Sequence, residues 1–408
     1  MNQKLTGKQY TLLASMLFGM FFGAGNLIFP IILGAKAGAS LVPALLGMLI
    51  TAVGMPLLGI VALGVSRSSG LMQMSGRVAK WYSYFFTCAL YLTIGPFFAI
   101  PRCAATSFTM GIAPLVSGSH TVPQAIFTTL FFAAVLFFAL RPNNIMNSIG
   151  KYLNPIFLIC LGILVVAALL DPIQSVGSVA ASGAYADNAF STGFLQGYDT
   201  LDALASLAFG IIVVNVIKEM GVEEPGAIAK NTIKSGIFSM VLMTVIYALI
   251  AIVGAQSYGL YADQLGEPSF NGGNAFAIIA QHYLGKAGMI VLALTVTFCC
   301  MKTAIGLVTA CADTFSVMFP RSLSYRSWAI VFTAFSLLVS NIGLSKIISF
   351  SAPVLYFLYP LAIMLILLNI FGKYFDYARP VFTWAIGFTM IAAVFDLLKV
   401  AGLAQGVV

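Results

Sequence analysis

Charged residues are scarce: Asp, Glu, Lys and Arg make up 8% of the 408 residues, against about 25% in an ordinary globular chain. A soluble domain, or a pair of them, is excluded. Histidine is nearly missing, with only His120 and His282, both in expected loops, and none of the six cysteines forms a Cys-x-x-Cys pair. That leaves no basis for a Cys/His metal site or a disulfide framework. Despite a net charge of +8, there is no basic stripe; Lys and Arg stand singly or in twos and threes between apolar runs, which sets nucleic acid aside as a partner. Gly-x-Ser-x-Gly, His-Glu-x-x-His and paired intramembrane carboxylates are also lacking, so an intramembrane enzyme has no machinery. A signal peptide would show a short apolar core and a cleavage site, but the first apolar run extends from Tyr10 to about Leu33 and reads as a retained membrane helix.

What the chain has is apolar length. Hydrophobic residues make up 60% of it and the mean hydropathy is +1.00, so most of the polypeptide, and not a single anchor, lies in lipid. Apolar runs of about twenty residues, the length that crosses roughly 30 Å of hydrocarbon, fall near 10–34, 40–65, 82–110, 121–140, 149–170, 197–217, 236–256, 287–319, 328–343, 347–371 and 381–398. The expected fold is an all-α polytopic membrane protein of about eleven spans. With a cytoplasmic N-terminus, fourteen basic residues, among them Lys4, Arg77, Lys151, Lys218 and Arg379, lie inside, and only Lys36, Lys286, Lys346 and Lys399 lie outside. The stretch 171–196, free of Lys and Arg, reads as an outer loop, and 218–234 as a solvated inner connection.

Spans one and six are each interrupted by small and polar residues. In the first the interruption is Phe22-Gly23-Ala24-Gly25-Asn26, followed by Pro30; in the sixth, Gly197 to Asp202 leads into Ser206-Leu207-Ala208-Phe209-Gly210. Glycine costs a helix roughly 1 kcal/mol relative to Ala, so both runs can open where neighbours satisfy the backbone. If residues 1–170 form one five-span repeat and 171–371 a second, five passes force the second to enter from the opposite side. Two broken helices then face each other in an inverted repeat, as in many secondary transporters, with 372–408 as an additional span and tail.

An opened helix offers N–H groups to a carboxylate and unpaired carbonyls to an ammonium or cation. Gly23, Ala24, Gly25 and Asn26 are the candidates in span one, with Asn26 able to add a side-chain oxygen for a cation. For the two glycines alone, close helix packing is an equal reading. In span six, Ser206 to Gly210 is expected to open likewise, with Phe209 as wall or as plain packing. Asp202 is a functional candidate if it lies within the span, and a solvated outer residue if the span begins later. Arg102 reads as structural, pairing with backbone carbonyls or with a carboxylate such as Asp202. Lys302, mid-way through span eight, either brings an ammonium to a cation position or pairs with a carboxylate such as Asp313, about three turns away.

Several of these motifs, in order along nearly the whole chain, resemble the bacterial branched-chain amino acid carriers (the LIVCS family, BrnQ-type): Phe21 to Pro30, Gly95-Pro96 with Pro101-Arg102, Gly197-Tyr198 with Asp202, Phe209-Gly210 and Thr303 to Leu307. More distantly, Gly23 to Pro30 is similar to the sodium-coupled neurotransmitter and amino acid symporters. The resemblance implies no enzyme activity, but import of leucine, isoleucine and valine across the bacterial inner membrane, coupled to a cation, usually Na⁺. It places substrate at Gly23, Ala24, Gly25, Asn26, Asp202, Ser206, Phe209 and Gly210, and Na⁺ at Gly19, Phe22, Cys299 and Thr303, with Lys302 as the coupling residue if the ion is H⁺. No other cofactor is implied. Departures are the family's usual twelfth span and Lys302, where a neutral residue is common.

Overall fold

A computed structural model describes residues 5–68, 70–141, 154–267 and 270–402. Lys4, Lys151 and the first residues of span five (149–153) lie outside the described residues. Span one is two helices, α1 (Gly7–Phe21) and α2 (Ala24–Ala37), with a Thr6–Gln9 capping box starting the first. Span two is α3 (Leu41–Leu49) and α4 (Met55–Val65), joined by a widened helical turn, and the short α5 (Leu71–Gly76) follows. Span three is α6 (Lys80–Leu92) and α7 (Ala99–Ser107), bent at Gly95-Pro96. Spans four and five are α8 (Thr121–Ala139) and α9 (Asn154–Leu170). After α10 (Ala184–Gln196) come α11 (Asp202–Glu219) in span six, α12 (Pro225–Gln256), α13 (Gly272–Met318), α14 (Tyr325–Ser340), α15 (Leu344–Ile370) and α16 (Arg379–Val400). The fold is the all-α polytopic one expected from the apolar runs.

Two boundaries differ instructively. Span eight was expected to start near 287, and α13 does kink at Gly285 (φ +55), but the helix before the kink folds back onto α2. There a Cβ on Gly272 would stand 2.0 Å from the Ile28 carbonyl oxygen. The outer loop expected over 171–196 is helical in its second half, because small residues let α10 lie directly on α3. A Cβ on Gly193 would meet the Ala44 carbonyl oxygen at 2.0 Å, and one on Gly47 the Phe190 carbonyl oxygen at 2.1 Å. Backbones that approach this closely gain dispersion contact, the main glue between helices in lipid.

Contacts between connections sort the two ends of the bundle. Arg77, between spans two and three, donates to Asn369 Oδ1 at 2.6 Å near the end of span ten and to the Ser66 carbonyl at 2.9 Å; Arg379 Nε donates to Val78 O at 3.3 Å. At the other end, Ala39 N–H reaches Val179 O at 2.8 Å, Ser182 N–H reaches Lys36 O at 2.9 Å, and Gln174 N–H reaches Gln256 O at 3.2 Å. Alternating passes require this sorting. Connections 2–3 and 10–11 share one side, and connections 1–2, 5–6 and 7–8 share the other.

Candidate functional site

The break in span one is two residues wide. Phe22 (ψ 97°) and Gly23 (φ −125°, ψ −156°) leave the helix. The Gly23 N–H turns to Asn26 Oδ1 at 2.8 Å instead of to the Gly19 carbonyl four residues back. Because a backbone N–H can only donate, this contact fixes which side-chain atom of Asn26 is oxygen. Asn26 therefore caps its own helix with its oxygen and presents its NH₂ to the interior. That oxygen accepts one hydrogen bond, from Gly23, and an amide oxygen has a second lone pair.

In span six the break is not at Ser206 to Gly210, as expected, but earlier. A single tight turn over Gly197–Thr200 ends at Leu201 (φ +69), and α11 then runs unbroken through Ser206 and Gly210. The physical reason lies in span three: Arg102 donates from Nη1 to the Asp199 carbonyl at 2.7 Å and from Nη2 to the Thr200 carbonyl at 3.2 Å, satisfying the carbonyls that the break frees. Arg102 is thus tied to carbonyls and not to Asp202. Ser206 donates to Ala203 O at 2.7 Å and faces Gly59 of span two; Gly210 packs on Leu63. Both point away from the break. Phe209 lies edge-on to Phe21, ring centroids 5.5 Å apart.

Asp202 occupies the first turn of α11 and is 2% exposed, which removes the outer-solvent reading. Its Oδ2 accepts from Asn26 Nδ2 at 2.6 Å and from the Tyr247 hydroxyl at 2.8 Å, and Asn26 Nδ2 also contacts that hydroxyl. A carboxylate is favoured at this helix start. Tyr247, a lone phenol among the apolar residues of span seven, was not singled out by sequence; nothing in its spacing marks it.

The two breaks face each other across one cavity. Its walls include Gly23, Ala24, Gly25 and Asn26 from span one, Thr200, Leu201, Asp202 and Ala205 from span six, Ile94, Ala99, Arg102 and Cys103 from span three, and Thr303 and Leu307 from span eight. It is narrow, ≈ 20 Å³, room for about one water, so anything larger fits only if the helices part. Asp199, whose carbonyl Arg102 holds, also lines a vestibule of ≈ 680 Å³ with Lys36, Tyr185 and Tyr356. The partition between vestibule and cavity is the turn at Asp199 and Thr200.

Behind the break, Phe22 O accepts from Cys299 Sγ at 3.2 Å and from Thr303 Oγ1 at 3.3 Å. Two oxygens that far apart match neighbouring ligands of one cation at roughly 2.3–2.6 Å, the distances Ca²⁺ keeps to oxygen. The Gly19 carbonyl, released from Gly23 N–H, belongs to the same turn. A thiol is a poor ligand for a hard cation, so Thr303 is the oxygen donor of the pair. Lys302 is fully buried but turns elsewhere: Nζ donates to Asn154 Oδ1 at 2.8 Å and sits 3.9 Å from the Phe157 ring centroid in span five. Asn154 in turn donates to Ser15 of α1. The carboxylate partner considered for Lys302 is replaced by an amide and a ring, which hold an ammonium without a counter-charge.

The sequence profile of the branched-chain amino acid transport proteins matches residues 6–408. The chain belongs to that family. It is 50% identical over 401 residues to the branched-chain amino acid permease BrnQ of Lactobacillus delbrueckii subsp. lactis, covering 98% of this chain and 89% of that one. To BrnQ of Bacillus subtilis it is 41% identical, covering 100% and 91%. Among solved structures it superposes on MhsT in complex with L-phenylalanine with a TM-score of 0.62 at 16% identity, covering 98% of each chain. A manganese transporter of Eremococcus coleocola gives a TM-score of 0.59 at 12% identity, covering 98% of this chain and 95% of that one. The latter two establish the fold alone. This member of the family is a transporter and not an enzyme, and its two breaks are the paired interruptions legible in spans one and six.

Proposed function

We propose that this carrier imports leucine, isoleucine and valine into bacteria across the inner membrane by Na⁺ symport, with its N-terminus in the cytoplasm. The observation that carries the coupling is the Phe22 carbonyl, which Thr303 approaches at the span-one break while Lys302 is drawn off to Asn154. Substrate class is supported by the relatives' names and by cavity walls that combine charged groups with Ile94, Ala99 and Leu307. A hydrophobic pocket separates side chains one methylene apart by only about 1–3 kcal/mol, so the three amino acids share one site.

In proteoliposomes with the Na⁺ and pH gradients imposed separately, labelled leucine should accumulate on the Na⁺ gradient. Isoleucine and valine should compete within about two orders of magnitude of leucine, and arginine and glutamate should not. Accumulation on a pH gradient in sodium-free medium would reject Na⁺ coupling and make Lys302 the proton carrier.

Orientation has its own test. Asp187, Gln264 and Glu224 are exposed, the first two on connections assigned outside and the third inside. Single cysteines there, on a background without native ones, should react with an impermeant maleimide from outside at Asp187 and Gln264 only. Outside labelling at Glu224 alone would invert the topology.

A further inference from the structure

Two opposite charges line the cavity without pairing. Arg102 is 3% exposed and spends Nη1 and Nη2 on the carbonyls of Asp199 and Thr200, while its Nε–H has no partner. Asp202 is held by Asn26 and Tyr247. No hydrogen bond or ion pair joins the two charges. In a water-poor interior an uncompensated charge is costly, and opposite charges within reach ordinarily meet. Here each is held back by neutral partners from other spans.

The guanidinium also stands against the start of α2. A Cβ on Gly25 would lie 2.8 Å from Arg102 Nη2, and the guanidinium carbon is 5.4 Å from the Phe29 ring centroid of the same helix. A helix N-terminus is itself a positive pole. Two positive features set together, one with an unused donor, call for an anion.

Resting on the reading that this cavity holds an α-amino acid, we propose that Arg102 binds the substrate α-carboxylate together with the N–H groups opening α2, while Asp202 takes the α-ammonium. The zwitterion bridges the gap between the two charges and compensates both. Selection then acts on the two charged ends of the amino acid, leaving its side chain to the apolar wall. The carboxylate needs no metal partner, so the coupling ion keeps a separate place behind Phe22.

The test is competition against labelled leucine on the purified full-length carrier, with leucinamide, which lacks the carboxylate, and 4-methylpentanoate, which lacks the ammonium. Wild type should discriminate strongly against both. Arg102→Gln should weaken leucine binding about thirtyfold to several thousandfold while leucinamide binding changes little, so that discrimination at the carboxylate collapses. Arg102→Lys, which keeps the charge but loses the fork, should recover part of both. Asp202→Asn should lose discrimination against 4-methylpentanoate instead. If Arg102→Gln fails to elute as a folded species, the lysine variant and the wild type decide: wild-type leucine affinity in Arg102→Lys, or leucinamide competing as well as leucine in the wild type, overturns the assignment. Undiminished discrimination in folded Arg102→Gln overturns this proposal alone. A wild type that binds no branched-chain amino acid overturns the transport reading on which it rests.

Discussion

Gly25→Leu is expected to abolish leucine uptake, by about a hundredfold or more, in a protein that still inserts in the membrane. The first atom of any side chain at this position would lie 2.8 Å from Arg102 Nη2, 3.1 Å from Thr200 Cα and 3.2 Å from the Thr200 carbonyl oxygen. Arg102 can swing aside, but the Thr200 backbone cannot without moving the break in span six. The remaining carbons of leucine would then fill the space between the breaks. Misplacement of binding groups by about 1 Å already costs on the order of a hundredfold. Expression, membrane level and leucine binding should be measured alongside uptake. Transport within a fewfold of wild type would return Gly25 to a helix-packing role.

Thr303→Ala should raise the Na⁺ concentration for half-maximal uptake by about ten- to a hundredfold, with the maximal rate less affected. That is the loss in metal affinity caused by removing even an outer-shell partner, and Thr303 supplies the side-chain oxygen nearest the Phe22 carbonyl. Lys302→Thr is its counterpart. With Nζ held by Asn154 and Phe157, removing the amine should leave the Na⁺ requirement in place. If instead Thr303→Ala transports normally while Lys302→Thr abolishes uptake driven by a pH gradient, the amine and not the span-one break is the coupling group.

Much of the fold was legible before any tertiary contact was known. Helix-length apolar runs announce spans because hydrocarbon thickness is a fixed ruler, and the Gly23 to Pro30 run announces a break because glycine and proline weaken a helix wherever they occur. The opening expected at Ser206 to Gly210 lies about two turns earlier, at Gly197 to Leu201. Leu201 adopts φ +69, a conformation leucine does not advertise, and it is sustained by Arg102, which lies 98 residues from Thr200 in sequence. Tyr247 and Asn154 were missed for the same cause: each matters only through a partner from another span, Asp202 for one and Lys302 for the other.

Sequence alone determined that this chain is an all-α polytopic membrane protein, that spans one and six are interrupted and which family its motifs resemble. Those properties follow from residue-by-residue partition between water and hydrocarbon and from local helix propensity, both of which sum along one dimension. Only the tertiary structure decided where span six opens, that Ser206 and Gly210 face span two, that Asn26 turns its oxygen to Gly23, and that Lys302 turns from the break toward Asn154. Inside a bilayer every freed carbonyl and every buried charge must find its partner within the protein, and those partners come from helices that only folding brings together.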